Sequence, residues 1–555
     1  MIRPLSYVAA LFAAWLIGPA SLSAQVGPTV VDPSAPPIQI QPIPADTPVA
    51  QPVEPPRNVL IVFVDDLGWA DLGCYGNPFH ETPHIDKLAT EGLKFTAAYA
   101  SCPVCSPSRA ALMTGRDPAR TGLTNFIPGH FRPFAPLLEP PIPNRLPMDE
   151  VTFANVLGDA ATTASFGKWH LGWDIKTEGP GARGFDEWVS TGGNKSPTFV
   201  TPEGREKLEG EWTAEALTDR TEKFVRDHAD DEKPWVCLLS HYAVHIPVFA
   251  KPELIAKYEA KPKVAGHPCD PAFAAMLEMV DDSVGRLRTV LQETGQAEDT
   301  VILFTSDNGG LHQVYYGEPN PIHGQSGPLV SSNAPLRGEK GSLYEGGIRV
   351  PLLVHWPGVT EPGRACDAAV TTSDLTPTIL NLAGAEPPSG VTMDGQSLVP
   401  VLRGECDAAR DAVFWHYPHY HHSRPAAAVH AGHFKLIEFF TRDGQGEVEL
   451  YDLRKDLGEK NNLAAALPTK AAELRALLKA YLADSGALLP RPNPQYDPAR
   501  ADEWWRRPGP NNNGTTKAVL DSVTGAAPDG PVDTSDVDPS VPMPDGRVRR
   551  DAATR

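Results

Sequence analysis

The hydrophobic positions of this chain fall into short unbroken runs, each halted by polar residues. Val59–Val64 is the first, and it stops at Asp65-Asp66-Leu67-Gly68. Trp235–Ser240 runs into His241, with His245 shortly after, and Val301–Phe304 leads through Thr305-Ser306 to Asp307-Asn308-Gly309-Gly310. A weaker run, Thr163–Phe166, passes into Gly167-Lys168-Trp169-His170. Short apolar runs without alternation predict strands buried on both faces. Between them, His84–Glu91, Ala214–Asp227 and Phe273–Glu293 carry the apolar spacing of helices. Strand and helix in alternation imply a parallel sheet with helices on both sides, and such sheets bind ligands beyond the carboxyl ends of their strands. Each run delivers its polar residues at that edge.

Val350–Trp356 predicts a further buried strand and Asp374–Leu382 a helix beside it. From Val413 the pattern changes: His433–Phe440 and Val448–Leu453 read as antiparallel strands, and Lys470–Ala483 as an amphipathic helix. The predicted fold class is α/β. A large mixed, mostly parallel sheet sandwiched by helices takes residues 57–410, and a smaller α+β subdomain of antiparallel strands and a helix takes 411–490. Residues 1–24 combine Arg3, the apolar run Val8–Ile17 and small residues near Ala24, the pattern of a secretory signal peptide. Residues 25–56 read as a proline-rich linker, and 491–555, rich in Pro, Gly, Asp and Asn, as a loosely packed or disordered tail. The leader's apolar core is too short to span a bilayer comfortably and no later segment qualifies. The chain therefore reads as exported, to a periplasm or beyond, with no transmembrane segment.

Charge and cysteine usage narrow the chemistry. A formal net charge of -20 over 555 residues argues against a nucleic-acid partner. A small anionic substrate stays open, since local lysines can outweigh a distant acidic surface. Seven cysteines are too few for a disulfide scaffold, and the odd number leaves at least one unpaired. Cys105 is the candidate, in Pro103–Arg116, PVCSPSRAALMTGR. Pro107 fits a first helical position and Ser106 the cap before it, with Ala110–Met113 continuing as helix formers. Cys105 would then stand at a positive helix pole with free N–H groups, and Arg109 one turn on. Cys102-Pro103-Val104-Cys105 also spells a redox C-x-x-C pair. Asp65, Asp66, Asp307 and Asn308 offer oxygen donors, which suit calcium or magnesium better than zinc; either pair alone is equally well a strand-ending turn. His416, His419, His421 and His422 are read as a zinc site, a wall against a substrate's organic part, or a plain loop.

Cys105-Ser106-Pro107-Ser108-Arg109 with Thr114-Gly115-Arg116 downstream resembles the maturation signature of the type I sulfatases. Lys168-Trp169-His170-Leu171-Gly172, His245-Ile246-Pro247, Lys340 within Leu336–Gly341, Tyr344–Arg349 and Glu449–Asp452 with the following Arg454-Lys455-Asp456 resemble further segments of that family, in order, across 58–489. The resemblance implies an alkaline-phosphatase-like fold and hydrolysis of sulfate monoesters, of a small molecule or a polysaccharide. It implies a formylglycine made from Cys105 by a formylglycine-generating or sulfatase-maturing enzyme. It also implies a calcium ion, magnesium being the lesser choice, on Asp65, Asp66, Asp307, Asn308 and the matured Cys105. On the same resemblance, one hydroxyl of the hydrated aldehyde would attack sulfur, Arg109 would hold the formylglycine, and Lys168 and Lys340 would neutralise sulfate oxygens. His245, alone or with Lys340, would protonate the leaving oxygen, and His170 would take the proton of the second hydroxyl so that sulfate departs. The alternatives are a phosphonate monoester or phosphodiester hydrolase with the same nucleophile, a sulfated-glycan binding protein whose Cys105 is never matured, and a disulfide oxidoreductase using Cys102 and Cys105.

Overall fold

The computed structural model describes residues 56–312, 329–406 and 410–506. The expected leader (1–24), all but the last residue of the expected linker (25–56), and the tail beyond residue 506 lie outside them. The first apolar run forms β1, Asn58–Val64, buried at every position. It is the middle of a ten-stranded sheet. The other strands are β2 Leu93–Phe95, β3 Thr162–Gly167, β4 Glu187–Ser190, β5 Thr198–Thr201, β6 Gly204–Lys207, β7 Trp235–Ser240, β8 Thr300–Ser306, β9 Leu352–His355 and β10 Ala365–Cys366. Their spatial order is β10-β2-β9-β8-β1-β7-β3-β4-β5-β6. From β8 through β1, β7 and β3 to β4 every pairing is parallel, while β9 and the β5–β6 hairpin join antiparallel.

Alternate side chains of a strand point to opposite faces, so a run with no polar member needs cover on both. Helices α1 Pro83–Glu91, α2 Cys105–Thr114, α3 Thr213–Asp227, α4 Pro271–Glu293 and α5 Leu375–Leu382 supply it. Leu60, Val62 and Val64 pack with α1, α3 and α4, whereas Val59, Ile61 and Phe63 pack with α2 and α5. The polar residues that end the runs are therefore at the rim, and the two faces carry only packing.

One local expectation needs correction. Helix α2 begins at Cys105, two residues before the predicted start, and its cap is Val104, in extended conformation with no side-chain bond. Ser106 lies inside the first turn instead. The cause is tertiary: the Ser108 hydroxyl accepts from Cys102 N and donates to Cys102 O, folding the preceding turn back. The Ser106 hydroxyl meanwhile donates to His170 O at 2.9 Å. Pro107 remains within the first turn, where no intrahelical N–H is required of it.

A second sheet follows as an antiparallel meander of β11 Ala412–Tyr417, β12 Ala426–Ala431, β13 Phe434–Phe439 and β14 Glu447–Asp452. One face is covered by α6, Pro468–Asp484, through Leu474, Leu478 and Tyr481. The other face, with Trp415, Tyr417 and Ile437, packs against Tyr99, Cys102 and Val104, directly behind the start of α2. Past the expected boundary at 490 the chain turns back. Arg491–Pro492 pairs with Leu137–Leu138, and Trp505–Arg506 with His130–Phe131. No described helix is long and apolar enough to cross a membrane.

Candidate active site

The parallel register sets the first contacts. Val64 of β1 lies opposite Ser306 of β8, so Asp65 and Asp66 leave the sheet beside Asp307 and Asn308. Asp66 N donates to Asp307 Oδ1 at 3.1 Å, and Asn308 Nδ2 donates to Asp66 Oδ1 at 2.7 Å. Two strands away Gly167 adopts φ +118°, and a Cβ there would collide with Ser240 O. Glycine lets β3 and β7 close at the point where Lys168 emerges. Asp66 and His170 also hold positive φ, 60° and 57°, a region that non-glycine residues keep only where the surroundings impose it.

Arg109 ties α2 to these strand ends. Its guanidinium is buried, with Nε donating to Asp307 Oδ2 at 2.9 Å and Nη2 2.7 Å from the same oxygen. Nη1 donates to Lys168 O at 2.9 Å and to Ser240 Oγ at 2.6 Å. Lys168 Nζ pairs with Asp65, and Lys340 Nζ with Asp66 Oδ1 at 2.6 Å. Burial pulls both ammonium groups down. The acidic groups around them, Asp66 foremost at Lys340 and Asp65 foremost at Lys168, together more than offset it, so both stay above the usual lysine range. Asp66 also resists burial and is held low by Lys340, His245 and Lys168. Asp65 is raised, by burial first and then by repulsion from Asp307.

Cys105 is 1% exposed, and its Sγ lies 3.2 Å from His170 Nδ1. The other ring nitrogen, Nε2, lies 2.7 Å from Ile127 O. A carbonyl only accepts, so Nε2 carries the proton and Nδ1 turns a lone pair toward residue 105. Burial, assisted by Lys168, brings His170 down to about 3 and keeps it neutral. His245 Nδ1 donates to Ile246 O at 2.6 Å, leaving Nε2 3.7 Å from Asp66 Oδ2. Burial brings it to about 3 as well, against the pull of Asp66. His241 faces away, with Nε2 3.1 Å from Ser283 Oγ on α4.

Three buried oxygens at this centre accept no hydrogen bond: Asp65 Oδ1, Asp66 Oδ2 and Asn308 Oδ1. Asp65, Asp66 and His245 present ligand atoms within 4.8 Å of one another. Buried carboxylate and amide oxygens left over in this way fit a hard divalent cation. Asp307 is the neighbour whose two oxygens already accept, one from Asp66 N and one from Arg109. The Cys105 thiol faces His170 and is not one of the grouped ligands.

A family model described as Sulfatase matches residues 57–385 of this chain. The chain belongs to the sulfatase family. A second model, N-sulphoglucosamine sulphohydrolase, C-terminal, matches 338–486. Arylsulfatase A of Homo sapiens is 33% identical over 477 residues, 76% of this chain and 86% of that protein. A sulfatase of Formosa agariphila is 30% identical over 519 residues, 78% of this chain and 89% of that protein. The solved structure of Ps i-CgsB in complex with k-i-k-neocarrahexaose superposes with a TM-score of 0.66 at 25% identity, covering 85% of this chain and 97% of that one. The protein is a sulfuric ester hydrolase, and its mixed sheet with a separate four-stranded antiparallel sheet is the architecture of its structural neighbours.

Two of the other expectations for this sulfatase separate on the geometry. Cys102 and Cys105 are both free thiols, and burial pushes the Cys102 thiol well above its ordinary value. A redox dithiol needs the opposite shift. The four clustered histidines disperse: His416 Nε2 is 2.9 Å from Leu488 O, His419 lies between Thr124 Oγ1 and Glu139, and His422 Nδ1 is 2.7 Å from Lys340 O. Among the described residues they form no metal-sized group. His422 touches the sulfatase site through Lys340 O, and the His421 ring lies 5.9 Å from that of Phe126.

Several residues of the site carry no candidate role in the sequence reading. Ser240 accepts from Arg109 and ends a buried run as Asp65 follows one, a signal that was available. Asn194 Nδ2 donates to His245 O at 2.7 Å and Pro247 O at 2.8 Å, and Tyr242 lies under Lys168 Nζ at 5.2 Å. Neither these nor Ile127 sits in any pattern of spacing.

Proposed function

We propose that this sulfatase hydrolyses sulfate monoesters of an aryl or carbohydrate alcohol, with a formylglycine made from Cys105 as nucleophile and a calcium ion on Asp65, Asp66, Asp307 and Asn308. The observation that carries the reading is the convergence on one rim of a buried Cys105, two buried lysines and three buried oxygens that accept no hydrogen bond. Formylglycine supplies a hydrated aldehyde whose hydroxyl attacks sulfur, and calcium supplies the positive charge that acidifies that hydroxyl and polarises a sulfate oxygen.

The chain's own residues do the rest. Arg109 fixes the first turn of α2, and hence residue 105, against Asp307. Lys168 and Lys340 meet the sulfate oxygens as charge builds on them. His245 takes up a proton as the anionic ester arrives beside Asp66 and passes it from Nε2 to the leaving oxygen. His170, with its lone pair on Nδ1 toward residue 105, removes the proton whose loss lets sulfate depart. The neocarrahexaose bound by Ps i-CgsB supports a carbohydrate ester as one substrate class, and the leader pattern at Met1–Ala24 supports export.

The test is kcat/KM for matched aryl sulfate, aryl phosphate and phosphonate monoester on fully matured enzyme. A phosphate monoester brings more charge and leaves an adduct held harder by the lysines, so it should act chiefly as an inhibitor. Only stabilisation specific to the transition state raises the rate. A clear preference for either phosphorus ester contradicts the reading, as does unchanged turnover in Cys105→Ala.

A further inference from the structure

We propose that residues 491–506, which lie beyond both family-matched regions, are a strap that positions His170, with Asn493 as its pin. The inference rests on the proposed role of His170. His170, Ser106 and Ile127 form a closed circuit beside Cys105. His170 Nε2 donates to Ile127 O, Ile127 N donates to Ser106 Oγ at 3.1 Å, and the Ser106 hydroxyl donates to His170 O. The Ile127 carbonyl therefore decides which imidazole nitrogen faces residue 105. If Ile127 moves, the ring loses the partner that fixes its tautomer and direction.

Ile127 belongs to a segment with little regular structure of its own. Between residues 124 and 138 there is no helix, and its two short strands, His130–Phe131 and Leu137–Leu138, both pair with the strap. Pro128, Pro133 and Pro136 remove N–H groups from the same stretch, so its carbonyls must find donors elsewhere. The strap brings them. Asn493 is wholly buried, and its Nδ2 donates to Pro133 O at 2.9 Å and to Ala135 O at 2.8 Å. Its backbone N donates to Pro136 O at 3.0 Å, and Asp497 N donates to Phe134 O at 3.2 Å. Four successive carbonyls, 133 to 136, are thus satisfied from one short piece of chain. Outside the active circuit Arg132 pairs with Asp502 at 2.8 Å, and Arg500 covers the Phe134 ring at 3.5 Å. Asn493 hydrogen-bonds through its side chain with Pro133 O, Ala135 O and Gln495 N, and with neither residue 105 nor His170. It is a positioning residue.

The experiment is a double-mutant cycle on the full, matured chain, with kcat and KM for an aryl sulfate normalised to folded protein. Asn493→Ala should lower kcat at least about tenfold, part of the 10²–10⁴ that a placed proton acceptor contributes, with KM within about threefold. Hydrogen exchange should rise in 126–138 and not in α2. In a His170→Ala background the same substitution should cost nothing further, because the group it positions is gone. Asn493→Asp, equal in size but without the two donors, should behave like Asn493→Ala and is read in its place if the alanine variant does not accumulate. A kcat within twofold of the parent, or an equal fractional loss in the His170→Ala background, overturns the strap. If His170→Ala by itself leaves kcat unchanged, it is the role of His170 that fails.

Discussion

A single oxygen of Asp307, Oδ2, holds both Nε and Nη2 of Arg109, at 2.9 and 2.7 Å, inside the protein. The pair joins the helix that carries Cys105 to the strand that carries the candidate cation ligands. Buried pairs contribute little net stability, but breaking one strands a charge without solvent. Arg109→Ala should therefore lower stability by about 3–5 kcal/mol and remove activity even in the folded fraction. Denaturant unfolding alongside turnover checks both. A variant with parental stability would show that Asp307 finds another partner.

The cation proposed for Asp65, Asp66 and Asn308, whose oxygens accept no hydrogen bond, has a direct test. Chelation should lower activity and Tm together, with calcium restoring both better than magnesium. An ion at a hundredfold its Kd stabilises by about 2.7 kcal/mol. Asp66→Asn should abolish the Tm response to added calcium. Full activity and an unshifted Tm in rigorously stripped protein would argue that the oxygens are satisfied without an ion.

Peptide mass spectrometry across Cys105 should find an aldehyde in place of the thiol in protein purified from its native source. Cys105→Ala should keep the fold, because α2 is anchored by Arg109 rather than by residue 105, and should lose turnover. An unmodified thiol in fully active enzyme would contradict the proposed nucleophile.

Stability should fall in acid for a reason separate from the site. His80, His241, His416 and His430 are each brought down to about 4, first of all by burial. Unfolded histidine titrates near about 6.5. Above that value both states are neutral and no stability is at stake. As pH falls through it, the unfolded chain takes up protons that the folded chain refuses, and stability drops until about pH 4. Each group contributes on the order of 3 kcal/mol at full effect. Tm measured from pH 7.5 to 4.5 should slope steeply, and His416→Gln, which keeps a donor for Leu488 O, should flatten the slope whatever it does to Tm itself.

What the sequence shows and what it hides follow one division. A buried run that ends in acid is a local pattern, so Asp65, Asp66, Asp307 and Asn308 stood out, and helices α1, α3 and α4 were placed within two residues of their ends. Pairings are not local: Lys340 meets Asp66 across 274 residues, and nothing near Arg109 names Ser240 as its acceptor. Ser106-Pro107 reads as a cap and a first turn by propensity, and the contacts of Ser108 with Cys102 overrode it. Ala426–Ala431, AAAVHA, has the composition of a helix, and only pairing on both sides makes it a strand. Residues 491–506 read as loose because their hydrogen bonds serve another segment of chain.

The burial of Cys105 has a consequence in time. On the proposed maturation, an enzyme oxidising this thiol could not reach a side chain 1% exposed, so it would act before the Arg109–Asp307 pair closes. Arg109 and Asp307 are 198 residues apart, and at about 5–20 residues per second their synthesis is separated by roughly 10 to 40 s. Parallel pairing between distant strands is slow to form, which lengthens the interval. The proposed maturation would then be a race against folding, and a variant that folds faster should yield more protein with less of it active.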